Sequence, residues 1–328
     1  MTEKSLFEML LPDPVLAGFD LPLRRTFFPF GFPLELATNS PEVIQAAGEG
    51  WGLFEKQFDV APARLQVGVA GENTNPLPPN STFRNREHLM LVVADADNFM
   101  TCDFYRNFGF AWITEPVARD HALVRYRFLI AGGLSLIEKN HLAPLHCGLI
   151  ARNGRGVALL GDSFAGKSTL AYACARAGWT FVCDDGANLV RKRSDRYAVG
   201  DPYVLRLRPD ATLLFPELED RLRGTEATGK AGAEIFTREL PVRQAVGCSV
   251  DHLVFLNRNP SGPAHISHYS KDEILRWCER YVAFGPADLC EAQVRCYQRL
   301  LSAGIWEMRY SDLDDAIGRL ESLVDSGA

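Results

Sequence analysis

Between Leu145 and Cys183 the spacing of apolar residues changes from strand-like to helical and back. Leu145-His146-Cys147-Gly148-Leu149-Ile150 and Arg155-Gly156-Val157-Ala158-Leu159-Leu160 are apolar runs of strand length, and Asn153-Gly154 between them is a hairpin signal. Thr169-Leu170-Ala171-Tyr172-Ala173-Cys174-Ala175 reads as a helix that Gly178 ends. Trp179-Thr180-Phe181-Val182-Cys183 then reads as a short buried strand that delivers Asp184-Asp185 at its C-terminal end. Downstream, strands are expected at 188–191, 197–199, 253–256 and 305–310, and helices at 271–284 and 288–303. Ser311 with Asp314 is expected to cap a last helix carrying Ala316, Ile317, Leu320 and Leu323.

The first third is patterned differently. Pro12, Pro14, Pro22, Pro29 and Pro33 argue for extended, edge-like or irregular backbone. Ser40-Pro41-Glu42 then starts a helix carrying Val43, Ala47, Trp51 and Phe54, its second half weakened by Gly48, Gly50 and Gly52. Apolar runs at 65–69, 88–93, 99–104 and 108–113, the last three separated by polar turns such as Asp95-Ala96-Asp97-Asn98, read as an antiparallel meander. The segment from Gly71 to Asn80 is a loop without periodicity. Thr114-Glu115-Pro116 starts a second helix running toward Asn140. The domain boundary falls between 115 and 142, giving an N-terminal α+β domain (1–125) and a second domain (126–328).

Composition narrows the partners. The 328 residues carry a net charge of −6 with no long run of like charge, which excludes the basic footprint of a nucleic-acid binder. No apolar run has the length of a membrane span, and the start lacks a signal peptide's basic and apolar regions, so a cytoplasmic protein away from membranes is expected. The 8 cysteines and 7 histidines show no zinc-type spacing, so the cysteines are expected to be reduced core residues.

The stretch that changes the picture is Gly161-Asp162-Ser163-Phe164-Ala165-Gly166-Lys167-Ser168-Thr169, which fits G-x-x-x-x-G-K-[ST] between a strand and a helix. A tight glycine-containing loop turns backbone N–H groups toward an anion, and the positive end of the following helix adds to them. The whole loop is therefore a candidate nucleotide-phosphate site, with Lys167 reaching the β- and γ-phosphates of ATP and Ser168 holding Mg²⁺. One of Asp184 and Asp185 can act as general base on an acceptor hydroxyl and the other can hold Mg²⁺, with a solvated turn as the alternative. His146 is either a satisfied core histidine or a partner of Asp184 or the attacking nucleophile.

Taken together, these residues resemble the catalytic domain of HPr kinase/phosphorylase and the stand-alone HPr-kinase-like proteins, which include kinases of peptide precursors. The family's histidine, strand, turn, strand, G-D-S-G-x-G-K-S, helix, glycine and A-D-D correspond to His146, the 161–168 loop, Gly178 and Cys183-Asp184-Asp185. The resemblance implies an α/β P-loop fold, related to phosphoenolpyruvate carboxykinases, with Asp184 as acid/base residue and His146 as its assistant. It also implies a departure. Where the family carries a magnesium-binding glutamate in E-I-R-G, this chain has Leu205-Arg206-Leu207-Arg208-Pro209. That argues against HPr as substrate and makes Arg206 and Arg208, more weakly Lys230, candidate phosphate-stabilising cations, with a solvated strand edge as the alternative. The expected activity is phosphoryl transfer from ATP with Mg²⁺ to a hydroxyl of a peptide, protein or small metabolite; a homo-oligomer fits equally well. The alternatives are a nucleotide-binding regulatory module without catalysis, or a related phosphatase or lyase.

Overall fold

The computed structural model describes residues 20–72, 81–222, 233–258, 261–282 and 285–326. Lys230, the stretch 73–80 of the loop after Gly71, and the prolines before residue 20 lie outside them. The fold is mixed α/β, and the chain divides into two compact units, one ending at Ile137 and the other starting at Glu138.

The N-terminal unit holds strands β1 (Leu23–Phe27), β2 (Leu34–Thr38), β3 (Ala63–Val69), β4 (Thr82–Arg86), β5 (Leu89–Val93), β6 (Phe99–Asp103) and β7 (Phe108–Ile113) in one sheet ordered β1-β2-β3-β7-β6-β5-β4. The meander expected over its second half is present as β4 to β7, but β3 is not part of it: β3 pairs in parallel with both β2 and β7. The proline-rich segment forms the hairpin β1–β2 because Pro29 lies in the connecting turn and Pro33 precedes β2, so neither removes a ladder donor. Helix α1 (Pro41–Trp51) runs through Gly48 and Gly50 to Trp51. The second expected helix is broken. Glu115–Arg119 stops at Asp120, whose side chain accepts from Leu123 N–H and starts His121–Val124. A π-helical stretch, Arg125–Leu134, follows and leads into Ser135–His141, which does reach Asn140. Gly132 and Gly133 let that stretch close on the sheet, since a Cβ at Gly133 would stand 2.8 Å from Leu34 Cδ1.

The C-terminal unit contains strands β8 (Leu142–Leu145), β9 (Gly148–Arg152), β10 (Arg155–Leu160), β11 (Thr180–Cys183), β12 (Ala187–Val190), β13 (Tyr197–Gly200), β14 (Val204–Leu207), β15 (Ala233–Phe236), β16 (Arg243–Gln244), β17 (Gly247–Arg258), β18 (His265–His268) and β19 (Gly304–Tyr310). Its helices are α2 (Lys167–Arg176), α3 (Lys271–Glu279), α4 (Ala287–Leu300) and α5 (Leu313–Asp325). The main sheet runs β16-β11-β9-β10-β17-β13-β12-β8, and β17 is parallel to β10 and β19. Along β10 the residues alternate between two cores. Val157 and Leu159 pack with Leu170 and Leu320 of α2 and α5, while Ala158 and Leu160 pack with Trp277 and Tyr297 of α3 and α4. Burial on both faces explains why β10 reads as a continuous apolar run.

Asn153 and Gly154 both take positive φ, 53° and 79°, which is what a two-residue hairpin turn requires. Gly178, at φ 92°, closes α2. Two expectations fail locally. The apolar run from Leu145 to Ile150 is two strands rather than one: β8 pairs with β12, β9 pairs with β10 and β11, and His146 lies in the break. The cap of α5 is Asp312, accepting from Asp315 N–H at 3.0 Å, whereas Ser311 Oγ donates to the Gly262 carbonyl. Among the described residues no helix is long and apolar enough to cross a membrane.

Candidate active site

The turn from Gly161 to Gly166 is built by backbone conformations that side chains oppose. Gly161 has φ 146°, and a Cβ there would lie 2.8 Å from Ala165 Cβ and 3.1 Å from the Leu256 carbonyl. Gly166 has φ 91° and is the N-cap of α2; a Cβ there would strike Tyr310 Oη. Tyr310 Oη in turn donates to the Ala165 carbonyl at 2.9 Å, fastening the loop to β19. Phe164 also takes left-handed backbone, φ 72°, at the position where the resembled motif has glycine. Its ring is 72% exposed, and the Arg208 guanidinium lies 3.8 Å from the ring centroid. Arg208 is thereby brought to the loop.

Lys167 begins α2 and is buried, with Nζ donating to the carbonyls of Gly161 at 2.8 Å and Asp162 at 3.2 Å. Burial lowers its pKa, while the charges of Asp185, Asp162 and Asp184 work against that shift. Ser168 Oγ lies 3.5 Å from the Asp184 carbonyl, so the helix start and the end of β11 meet. Gly148 permits this approach, because a Cβ there would stand 3.2 Å from the Asp184 oxygen and 3.4 Å from that of Lys167.

The two aspartates diverge. Asp184 is 2% exposed, and its Oδ2 accepts the backbone N–H of Arg206 at 3.0 Å. Burial pushes its carboxyl up to about 6, against the favourable charge and N–H of Arg206, with Asp185 adding to the rise. Asp185 turns instead toward His146, whose Nδ1 is 3.3 Å from its Oδ1. His146 therefore partners the second aspartate, not the expected first one. The break between β8 and β9 places the ring there, beside Tyr281 at 5.0 Å and Trp277 at 6.1 Å between centroids.

The Arg206 guanidinium is paired within the fold: Nε and Nη2 both lie 2.9 Å from Glu234 Oε1 on the neighbouring strand β15. Its contribution to the site is the main-chain N–H on Asp184 and the charge behind it. Sequence reasoning missed Glu234, the aromatic wall of Trp277 and Tyr281, the clamp from Tyr310, and Arg258, whose Cδ is 3.8 Å from where a Gly166 Cβ would be. Each lies far along the chain from the motif, and none carries a local signal.

Among the described residues no three His, Cys, Asp or Glu side chains gather as a metal cluster. Mg²⁺ is held by oxygen donors, through one or two protein ligands, substrate phosphates and water, and a hydroxyl and a carboxylate are donors of that kind. Ser168 and Asp185 could supply the protein ligands.

No family model and no curated protein matches the chain. Among solved structures, the HPr(Ser) kinase/phosphatase from Coxiella burnetii is similar, with 13% identity and a TM-score of 0.30 over 56% of this chain and 98% of that one. A likeness that low leaves the function to the chain's own residues.

Proposed function

We propose that the chain is an ATP-dependent kinase that transfers a phosphoryl group to a hydroxyl of a peptide, protein or small metabolite. The observation that carries the reading is a buried carboxylate, raised to about 6, whose main-chain oxygen meets the first turn of the helix that closes a glycine-shaped loop. The loop's backbone N–H groups and Lys167 bind the nucleotide phosphates, and Lys167 is already held at the loop by two carbonyls. Mg²⁺, when bound through Ser168 and Asp185, supplies charge neutralisation at those phosphates. Asp184 accepts the proton of the acceptor hydroxyl on its carboxylate, and a pKa near 6 suits that task close to neutrality. Arg208, stacked on Phe164, stands at the loop as a fixed cation.

One observation favours a second assignment of the base. His146 and Asp185 form a pair, with side chains 25% and 34% exposed, in which the aspartate orients the imidazole. Measuring phosphate transfer from γ-labelled ATP into added peptide and metabolite pools tests the reading, with Lys167→Ala expected to abolish it. Transfer absent from the wild type despite nucleotide binding would leave the binding-module alternative. If His146→Ala stopped transfer while Asp184→Asn did not, the base would be His146.

A further inference from the structure

A basic cleft lies in the C-terminal unit at the far end of β12, the strand that leaves the aspartates. A cleft of about 290 Å³ is lined by Asn140, Arg191, Lys192, Arg295, Cys296 and Arg299, among others. Strand β12 starts just beyond Asp185 and ends at Val190, pairing with β8 so that Ala187 faces Leu145 and Val190 faces Leu142. Arg191 follows Val190, so the cleft and the His146–Asp185 pair occupy opposite ends of one strand pair.

Arg191, Lys192, Arg295 and Arg299 put four cations around one small cleft. Glu291 reaches Arg295 only at 3.7 Å, with both side chains well exposed, which is a weak pair. The charge of Asp288 also reaches Arg191. Burial and then Lys192 and Arg191 push His141 down to about 4; burial lowers the pKa of Arg191, with Arg295 adding to the fall and Cys296 and Asp288 opposing it.

The floor is rigid. Arg191 donates through Nη1 to the Lys139 carbonyl, and its backbone N–H donates to the His141 carbonyl at 2.9 Å. Arg299 donates to the carbonyls of Arg191 at 3.3 Å and Val190 at 3.1 Å. Each guanidinium has five donors, so neither fork is exhausted by these bonds. Lys192 and Arg295 are exposed at the mouth. Like charges pinned together disfavour the compact state unless an anion joins them. Planar forks backed by a point charge match tetrahedral phosphoryl oxygens.

We propose that this cleft binds a small phosphoryl-bearing anion, as the free ion or as a compact phosphate ester. Its volume is at the low end for ligand sites, which suits a phosphate or diphosphate group better than a whole nucleotide. The site is separate from the glycine-shaped loop and does not depend on the kinase reading.

The test is calorimetric titration of the full chain carrying Lys167→Ala, with inorganic pyrophosphate and glycerol phosphate as probes and citrate as the non-phosphoryl control. One site per chain is expected to remain in that background, weakening at least about tenfold when Lys192→Ala and Arg295→Ala are added, as loss of charge-assisted contacts does. Tighter binding of pyrophosphate identifies the free ion, and tighter binding of glycerol phosphate the ester. Both mouth residues are exposed, so the double change should not lower the melting temperature of the otherwise wild-type chain and should leave its nucleotide binding intact. No binding in the Lys167→Ala background, affinity indifferent to the mouth residues, or citrate bound as tightly as pyrophosphate would each overturn the proposal.

Discussion

Asn98 in the N-terminal unit and Asp184 in the C-terminal unit are both buried, at 1% and 2% exposed, and both sit where a strand meets a turn. Asn98 Oδ1 accepts from the backbone N–H of Thr114 at 2.8 Å and from its hydroxyl at 3.2 Å, and Nδ2 donates to Asp95 at 2.9 Å. Every end of that amide has a partner, and it carries no charge. The Asp184 carboxylate takes the backbone N–H of Arg206 yet retains a proton more readily than an ordinary aspartate. Burial of a satisfied amide is structural, whereas burial of a chargeable group held short of full solvation is unfavourable for the fold and useful for proton transfer.

Substitution should separate the two. The largest effect expected is on rate: Asp184→Asn lowers phosphoryl transfer by about 10²- to 10⁴-fold, the usual loss of a general base, with nucleotide affinity little changed. Label-transfer kinetics beside calorimetry would check it, and a near wild-type rate would collapse the distinction. Next, Asn98→Ala leaves a buried Thr114 N–H without its acceptor and should lower stability by about 1–3 kcal/mol in denaturant melts, while nucleotide binding per folded molecule stays unchanged.

A third effect has the opposite sign. Because the folded state raises the Asp184 carboxyl from 3.8 to about 6, it holds a proton there that the unfolded chain releases, so this group's contribution to stability falls as pH rises from about 4 to 6. Asp184→Asn removes that penalty. The variant should therefore be more stable than wild type at pH 7, by on the order of 3 kcal/mol, and nearly equal to it in stability at pH 4. A variant melting lower at pH 7 would make Asp184 structural after all. The smallest effect belongs to Tyr310→Phe, which removes one hydrogen bond to the loop and should cost about 0.5–1.5 kcal/mol with a modest loss of nucleotide affinity.

Much of this arrangement was legible in the chain. The 161–168 loop, the Asn153-Gly154 hairpin and the β11 strand with its terminal aspartates are specified by neighbouring residues, since turn chemistry and burial on both faces leave local marks. Other features depend on distant partners. Strand β4, Thr82-Phe83-Arg84-Asn85-Arg86, is exposed throughout, so no alternation betrays it and only its pairing with β5 makes it a strand. The break at His146 arises because β8 and β9 join different neighbours, a choice no local pattern encodes. Divergence of Asp184 from Asp185 likewise needs the N–H of Arg206 on one side and His146 on the other. Arg206 itself carried a motif-level expectation that Glu234 alters.

The bond from Tyr310 to Ala165 joins residues 145 positions apart. At a synthesis pace of about 5–20 residues per second, roughly 7–30 seconds separate the appearance of the loop from that of its clamp. During that interval β17 also lacks β19, its parallel neighbour along seven pairs from His252 to Arg258. The newborn chain thus passes through a period in which the 161–166 loop exists but is not yet fastened, and the hydroxyl that fastens it is made only after that interval.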